Sequence, residues 1–354
     1  MPPKILELCD NAESTFHEVP IMYDTRDLSN STSADEDESA RQDLVEKLYN
    51  ASTQVGFFYV KNHGIPETII EDLLMAMKDY FALPLAMKMQ LLNSRQPKGS
   101  FRGYSPFLDA KLDPGEGGGR DLNESFQFNF KVPVVPGGVK PAETDINLWP
   151  YMAEVEPFRQ AALGYYQAVT ALGYQLYPLF AEALHLPRDW FADKTKTGAV
   201  TWKGFRYPPQ PGVSTLLTED EDRKRTLGIG AHTDFDCFTI LWQQPGHRAL
   251  QVLNPRGEWI DAPPLPGTLV VNIGEVFTRI TNNAFKSTKH RVINRSGAAR
   301  YSMPAFFAMD PEVLLEVVPS CASPDVISSH EVISAGEFLR RKLMRAYGGK
   351  YESD

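Results

Sequence analysis

Three short runs near the C-terminal end could do chemistry together: His232-Thr233-Asp234, then His290, then Arg300-Tyr301-Ser302. Two imidazoles and one carboxylate supply three ligands on one face of a metal ion and leave the opposite face open to small molecules, the facial triad of non-haem Fe(II) sites. Arginine offers a planar fork of donors that matches a carboxylate, and Ser302 follows Arg300 at the spacing that puts both on one face of a strand. Together these residues predict redox chemistry with a co-substrate that carries a carboxylate.

The elements around them must bring distant residues to one point. Residues 227–231 and 238–242 are strand-like, so His232 and Asp234, two apart, are expected on one face of a strand. His290 falls in a strand candidate over residues 286–293, and Arg300, Ser302 and Pro304 alternate along the next. Further β-like runs at 200–207, 250–253, 259–261 and 268–272, separated by Pro- and Gly-rich turns, predict a sandwich or barrel. Before residue 198 the texture is helical, with apolar spacing at Leu44, Val45, Leu48 and Tyr49 and again from Ile69 to Phe81. A long pattern over residues 152–184 would back the sheet, with Pro178 predicting a kink or a break.

These residues, with several others in order, resemble the Fe(II)/2-oxoglutarate-dependent dioxygenases, in the branch that includes isopenicillin N synthase and the plant flavonoid and gibberellin oxygenases. The resemblance spans nearly the whole chain: Gly56-Phe57-Phe58-Tyr59-Val60-Lys61-Asn62-His63-Gly64-Ile65, Phe81-Ala82-Leu83-Pro84, Arg102-Gly103-Tyr104, Arg206-Tyr207-Pro208-Pro209 and Asn272-Ile273-Gly274-Glu275, besides the ligand motifs. It implies an α+β fold with a double-stranded β-helix (jelly-roll) core over residues 198–310. An N-terminal helical region would occupy 1–197, and a C-terminal extension with a helix 311–354. It further implies that His232, Asp234 and His290 bind Fe(II), and that Arg300, Ser302 and Tyr207 hold the far carboxylate of 2-oxoglutarate. O2 would take the remaining metal position. Succinate and CO2 would leave while a small metabolite is hydroxylated, desaturated or cyclised.

Substrate contacts follow in part from the strand period. Lys203, Phe205 and Tyr207 share one face of the 200–207 strand, and Phe126 and Phe128 share one face of theirs. The resemblance implies that Phe126, Phe128 and Phe306 line the substrate pocket, with Tyr104 beside them, and that Lys203 meets an acidic or phenolic group of an otherwise apolar or aromatic substrate. A buried ammonium needs a partner, so Lys203 has a second reading as an internal ion pair with Glu124. Each Phe has a second reading as core. His63, a member of the N-terminal signature, reads as structural.

Composition sets the outer bounds. The chain has 354 residues, 42% of them hydrophobic, and a net charge of −9, which argues against a nucleic-acid partner. No apolar run is long enough to span a bilayer. Three isolated cysteines form neither a disulfide framework nor a zinc spacing, so a cytoplasmic, monomeric enzyme is expected. The Gly-rich run Gly115-Glu116-Gly117-Gly118-Gly119 and the charged stretch 219–225 read as loops, each a candidate lid. Two other functions share the motifs: an oxidase of the isopenicillin N synthase type that needs no 2-oxoglutarate, and a non-catalytic small-molecule-binding protein.

Overall fold

The computed structural model describes residues 18–22, 34–95, 102–109, 121–129, 153–197, 200–209, 227–322 and 330–346. The runs 115–119 and 219–225 lie outside them. The N-terminal half contains β1 (Ile21–Met22), α1 (Ala34–Gln54), β2 (Phe57–Lys61), α2 (Glu67–Ala82), the single turn α3 (Leu85–Lys88), β3 (Gly103–Ser105), β4 (Glu124–Asn129) and the long α4 (Glu156–Ala183). Strands then dominate: β5 (Val200–Tyr207), β6 (Ile229–His232), β7 (Phe238–Gln243), β8 (Leu250–Leu253), β9 (Trp259–Asp261) and β10 (Thr268–Ile273). After α5 (Glu275–Ile280) come β11 (His290–Val292), β12 (Arg300–Phe307) and α6 (Ala335–Ala346).

From β5 onward the chain crosses between two sheets at every connection except the β8–β9 hairpin. One sheet contains β10-β7-β12-β5, the other β6-β11-β8-β9. That wrapping is a double-stranded β-helix, a jelly-roll relative. The N-terminal half lengthens the first sheet at both edges, adding β2 and β1 beyond β10 and β4 and β3 beyond β5.

Strand alternation in the large sheet produces two cores. Its outer face, with Trp202, Phe238, Met303 and Phe307, packs against α1, α2 and α4. Its inner face, with Phe57, Tyr59, Phe205, Tyr207 and Val270, meets Ile229, Leu250, Val252 and Val292 of the small sheet. Helix α4 runs unbroken through Pro178, with Leu172, Leu176, Leu179 and Phe180 buried along it. Packing on both sides of the proline offsets the lost backbone bond, so the expected break between two helices does not occur.

Gly173 marks the closest approach of α4 to the sheet. A Cβ there would sit 2.0 Å from the Phe307 ring, and that ring is stacked on Phe238 at 4.7 Å, so it has little room to move. Gly173→Ala gains about 1 kcal/mol of helix propensity but forces an overpacked contact costing about 1–3 kcal/mol. The expected net result is a lower melting temperature in a thermal unfolding scan. A raised one would show that Phe307 can give way.

Among the described residues no helix is long and apolar enough to cross a membrane.

Candidate active site

Register brings the ligand residues together. His232 at the end of β6 lies directly across from His290 at the start of β11, and their rings are 4.2 Å apart, centroid to centroid. Asp234 is not on the strand as expected. β6 ends at His232, and Asp234 occupies the following loop, where its carbonyl accepts the Glu275 N–H at 2.9 Å. The loop turns its carboxylate inward, with Oδ1 3.6 Å from Nε2 of His232 and 3.7 Å from Nε2 of His290. One donor atom from each of the three residues falls within a 4.8 Å cluster.

The far side of each ligand is held as a metal site requires. Nδ1 of His232 lies 2.7 Å from the Gly230 carbonyl, and Nδ1 of His290 lies 3.2 Å from that of Thr288. Donation to these carbonyls leaves both Nε2 lone pairs facing the cluster. Asp234 Oδ2 accepts from the Asn272 amide at 2.7 Å and from the Thr239 hydroxyl, so Oδ1 remains for an ion. Burial, joined by the neighbouring His290, drives the His232 imidazole down to about 4, which keeps it a neutral donor. Burial alone would raise Asp234. The two imidazoles and the two hydrogen bonds outweigh it and hold the carboxyl below its ordinary value.

β6 is itself steered by residues 121–123. Asp121 accepts the Gly230 N–H at 2.8 Å, and the Asn123 amide donates to the Gly228 carbonyl at 2.7 Å. The 286–293 strand candidate shortens to β11 because Lys286 N–H bonds Ser52 O and the Thr288 hydroxyl bonds Val55 O. Residues 286–288 thereby dock on the end of α1 rather than on a strand.

A cavity of about 210 Å³ opens over the cluster. Arg300 reaches into it from β12 and is 1% exposed. One Nη2–H donates to Gln243 Oε1 at 3.2 Å, and the guanidinium lies 4.9 Å from the Tyr207 ring centroid. Its Nε and Nη1 donors have no partner among the described residues. Burial pulls this guanidinium below its ordinary value, and a buried cation with idle donors is costly unless an anion joins it. Beside it the Tyr207 and Ser302 hydroxyls are 3.3 Å apart. Three donor groups thus converge at one end of the cavity, with the triad in the same space. This donor set fits the far carboxylate of a dicarboxylate whose other end chelates a metal.

The cavity also receives Lys203, Phe205 and Phe306, all on inward-facing positions. The Lys203 ammonium lies 4.7 Å from the Phe205 ring centroid. Its second reading, an ion pair with Glu124, does not hold. Glu124 pairs across the strands with Arg206, and its carboxylate takes Lys88, Arg206 and the Tyr104 hydroxyl on the opposite face of the sheet.

Phe126, Phe128 and Tyr104 do not reach the cavity. Phe126 packs edge-on to Tyr80 and Phe158, and Phe128 against Tyr166 and Trp202, all in the outer core. Tyr104 is fully buried beside them. The error is one of phase: β4 turns its apolar face to the helices, and its polar residues Gln127 and Asn129 line the cavity opposite Lys203 and Thr201. The alternation Phe-Gln-Phe-Asn held that signal. Asn272 and Thr239, which orient Asp234, and Leu339 and Leu343, which reach the cavity from α6, were also missed.

With this geometry in hand, the likeness to known proteins is specific. Residues 24–152 match the N-terminal region of the non-haem dioxygenases in morphine synthesis, and residues 203–308 match the 2OG-Fe(II) oxygenase superfamily. The chain is 33% identical over 321 residues to the 2-oxoglutarate-Fe(II) type oxidoreductase hxnY of Emericella nidulans, covering 88% of this chain and 87% of that one. It is 35% identical over 318 residues to a 2-oxoglutarate-dependent dioxygenase of Didymella fabae, covering 86% and 91%. Among solved structures, a full-length Neurospora crassa protein in complex with alpha-KG superposes with a TM-score of 0.75 at 22% identity, covering 92% of this chain and 96% of that one. A 2OG-Fe(II) oxygenase family protein of Caulobacter crescentus does so with a TM-score of 0.73 at 27% identity, covering 93% and 99%. A jelly roll with a His-Asp-His cluster and a buried arginine at one cavity, in a chain this similar over this length, belongs to the 2-oxoglutarate- and Fe(II)-dependent oxygenase superfamily.

Proposed function

We propose that His232, Asp234 and His290 hold Fe(II), and that Arg300, with the Ser302 and Tyr207 hydroxyls, binds the far carboxylate of 2-oxoglutarate. When bound, the iron and co-substrate couple loss of CO2 from 2-oxoglutarate to the oxidation of a substrate C–H bond by O2, leaving succinate. The protein's own groups fix the metal, orient the co-substrate and keep water from the reacting centre. The observation that carries the reading is the pair of idle donors on a buried Arg300 sharing a cavity with the triad.

The substrate is a small molecule with an apolar or aromatic part and a polar handle. Phe306 and Phe205 offer the first a surface, and Lys203, with Gln127, Asn129 and Thr201 on the neighbouring positions, offers the second its partners. The proposal takes the enzyme to be monomeric and cytoplasmic, a reducing setting in which thiols persist.

The direct test is anaerobic titration with Fe(II) and then 2-oxoglutarate, read by the weak visible charge-transfer band of the chelate. A band is expected, followed by succinate release on admitting O2 with aromatic and acidic metabolites. Iron binding without a band, together with substrate oxidation that releases no succinate, would instead favour an oxidase of the isopenicillin N synthase type. The naming of the relatives for 2-oxoglutarate weighs against that outcome.

A further inference from the structure

The C-terminal helix α6 reaches the cavity. Leu339 and Leu343, one turn apart on the same face, both line it. The neighbouring stripe of that face holds Phe338 and Lys342. Phe338 is buried beneath the Arg279 guanidinium, 4.9 Å from its ring centroid. The Lys342 ammonium lies 5.5 Å from the Phe235 ring centroid and 5.6 Å from that of Phe338. It pairs at 2.5 Å with Oε2 of Glu275, the first residue of α5.

Glu275 has a second contact. Its Oε1 accepts the Thr233 hydroxyl at 2.7 Å, and Thr233 stands between the ligand residues His232 and Asp234. The backbone reinforces that contact. Glu275 N–H donates to Asp234 O, Gly274 N–H to Cys237 O and Val276 N–H to Asp236 O. A Cβ at Gly274 would fall 2.0 Å from Asp236 O, so the corner and the ligand loop are in direct contact with no space between them.

As an ion pair, Lys342–Glu275 is about a quarter exposed and contributes little to stability. Its position is what matters. One carboxylate uses its two oxygens on two partners, one in the ligand loop and one on a helix that forms part of the cavity wall.

We propose that Glu275 is a positioning residue that ties the seating of α6, and with it the substrate-facing Leu339 and Leu343, to the loop carrying the metal ligands. The inference rests on the reading of His232, Asp234 and His290 as the iron site. An ion that draws those ligands together holds Thr233, Thr233 holds Glu275, and Glu275 holds Lys342 on α6. The substrate wall is therefore firmest when the metal is in place.

The experiment uses the full chain with Co(II) as a probe for the iron position. Affinity is read from the visible absorption of bound Co(II), and backbone mobility from amide hydrogen exchange with and without the ion. Glu275→Ala removes both contacts and should weaken Co(II) binding about tenfold, the low end for groups behind the ligands. Glu275→Gln keeps an acceptor for Thr233 but loses the charge on Lys342, and Lys342→Met loses the same link from the other side. Lys342→Met should bind Co(II) within about twofold of the unaltered chain, and Glu275→Gln should fall between it and Glu275→Ala.

In the unaltered chain Co(II) should slow exchange in residues 335–346 as well as in 230–236. In Glu275→Gln and Lys342→Met the slowing should persist at 230–236 and vanish at 335–346. A merely structural ion pair would change exchange in α6 equally with and without Co(II), and that result would overturn the proposal. Slowing of α6 that survives in Lys342→Met would overturn it too. Failure of the unaltered chain to bind Co(II) would sink the iron-site reading and the coupling together, whereas binding without any response in α6 would sink the coupling alone.

Discussion

Arg300→Ala is expected to weaken 2-oxoglutarate binding by about 10²–10³-fold while leaving Fe(II) binding nearly unchanged. Removing one partner of a buried, hydrogen-bonded charge pair costs about 2–5 kcal/mol, and each 1.4 kcal/mol is about tenfold in affinity. The site lies above the low end of that range because Arg300 is buried and two of its donors wait for an acceptor. Arg300→Lys should recover only part of the loss. An ammonium keeps the charge but cannot present the planar fork or maintain the guanidinium's position over the Tyr207 ring. Anaerobic titration calorimetry of the Fe(II)-loaded protein with 2-oxoglutarate checks both variants. An unchanged dissociation constant in Arg300→Ala would move the co-substrate carboxylate elsewhere in the cavity.

The second large effect is expected at Asp234. Its two oxygens have separate partners: Oδ2 takes Asn272 and Thr239, and Oδ1 faces the histidines. Asp234→Asn cannot satisfy both sides. If the amide oxygen accepts from Asn272 and Thr239, its NH2 faces the ion. If the oxygen faces the ion, the NH2 meets donors. Either arrangement also loses the negative charge. Fe(II) affinity should therefore fall by more than the roughly 10–100-fold typical of groups behind the ligands, and succinate release should fall with it. Asn272→Leu supplies the comparison, with an expected loss inside that 10–100-fold range. Fe(II) titration of the three proteins under anaerobic conditions gives the order. An Asp234→Asn protein that binds iron as well as Asn272→Leu would falsify the assignment of Oδ1 as a ligand.

The chemistry was legible in the sequence where it is local. His232, Asp234, Arg300 and Ser302 occur in short runs, and the strand-like segments around them corresponded closely to β5, β7, β8, β9, β10 and β12. What failed was orientation. Placing Phe126 and Phe128 in the cavity assumed that the apolar face of β4 looks inward. A sheet with helices on one side and an open cavity on the other does the reverse, and turns Gln127 and Asn129 in. The same parity removes the Lys203–Glu124 pair, since position 124 belongs to the helix side and 203 to the cavity side. Asp234 was expected on a strand because spacing alone does not show where a strand ends. Its loop is fixed by hydrogen bonds from Glu275 and Asn272, contacts between residues far apart in the chain. Leu339 and Leu343 carried no local signal, because nothing in their helix states what it covers.

The cavity is assembled from two sources. The groups proposed for iron and 2-oxoglutarate stand on jelly-roll strands or on the loop leaving β6. Part of the lining comes from outside that jelly roll: Gln127 and Asn129 from a strand added beside β5, Leu339 and Leu343 from a helix near the other end of the chain. On the proposed function, changes at those four positions are expected to alter what the enzyme accepts more than what it needs in order to turn over. A lineage, or an engineer, would then retune substrate choice by exchanging peripheral parts around an unchanged set of reacting groups.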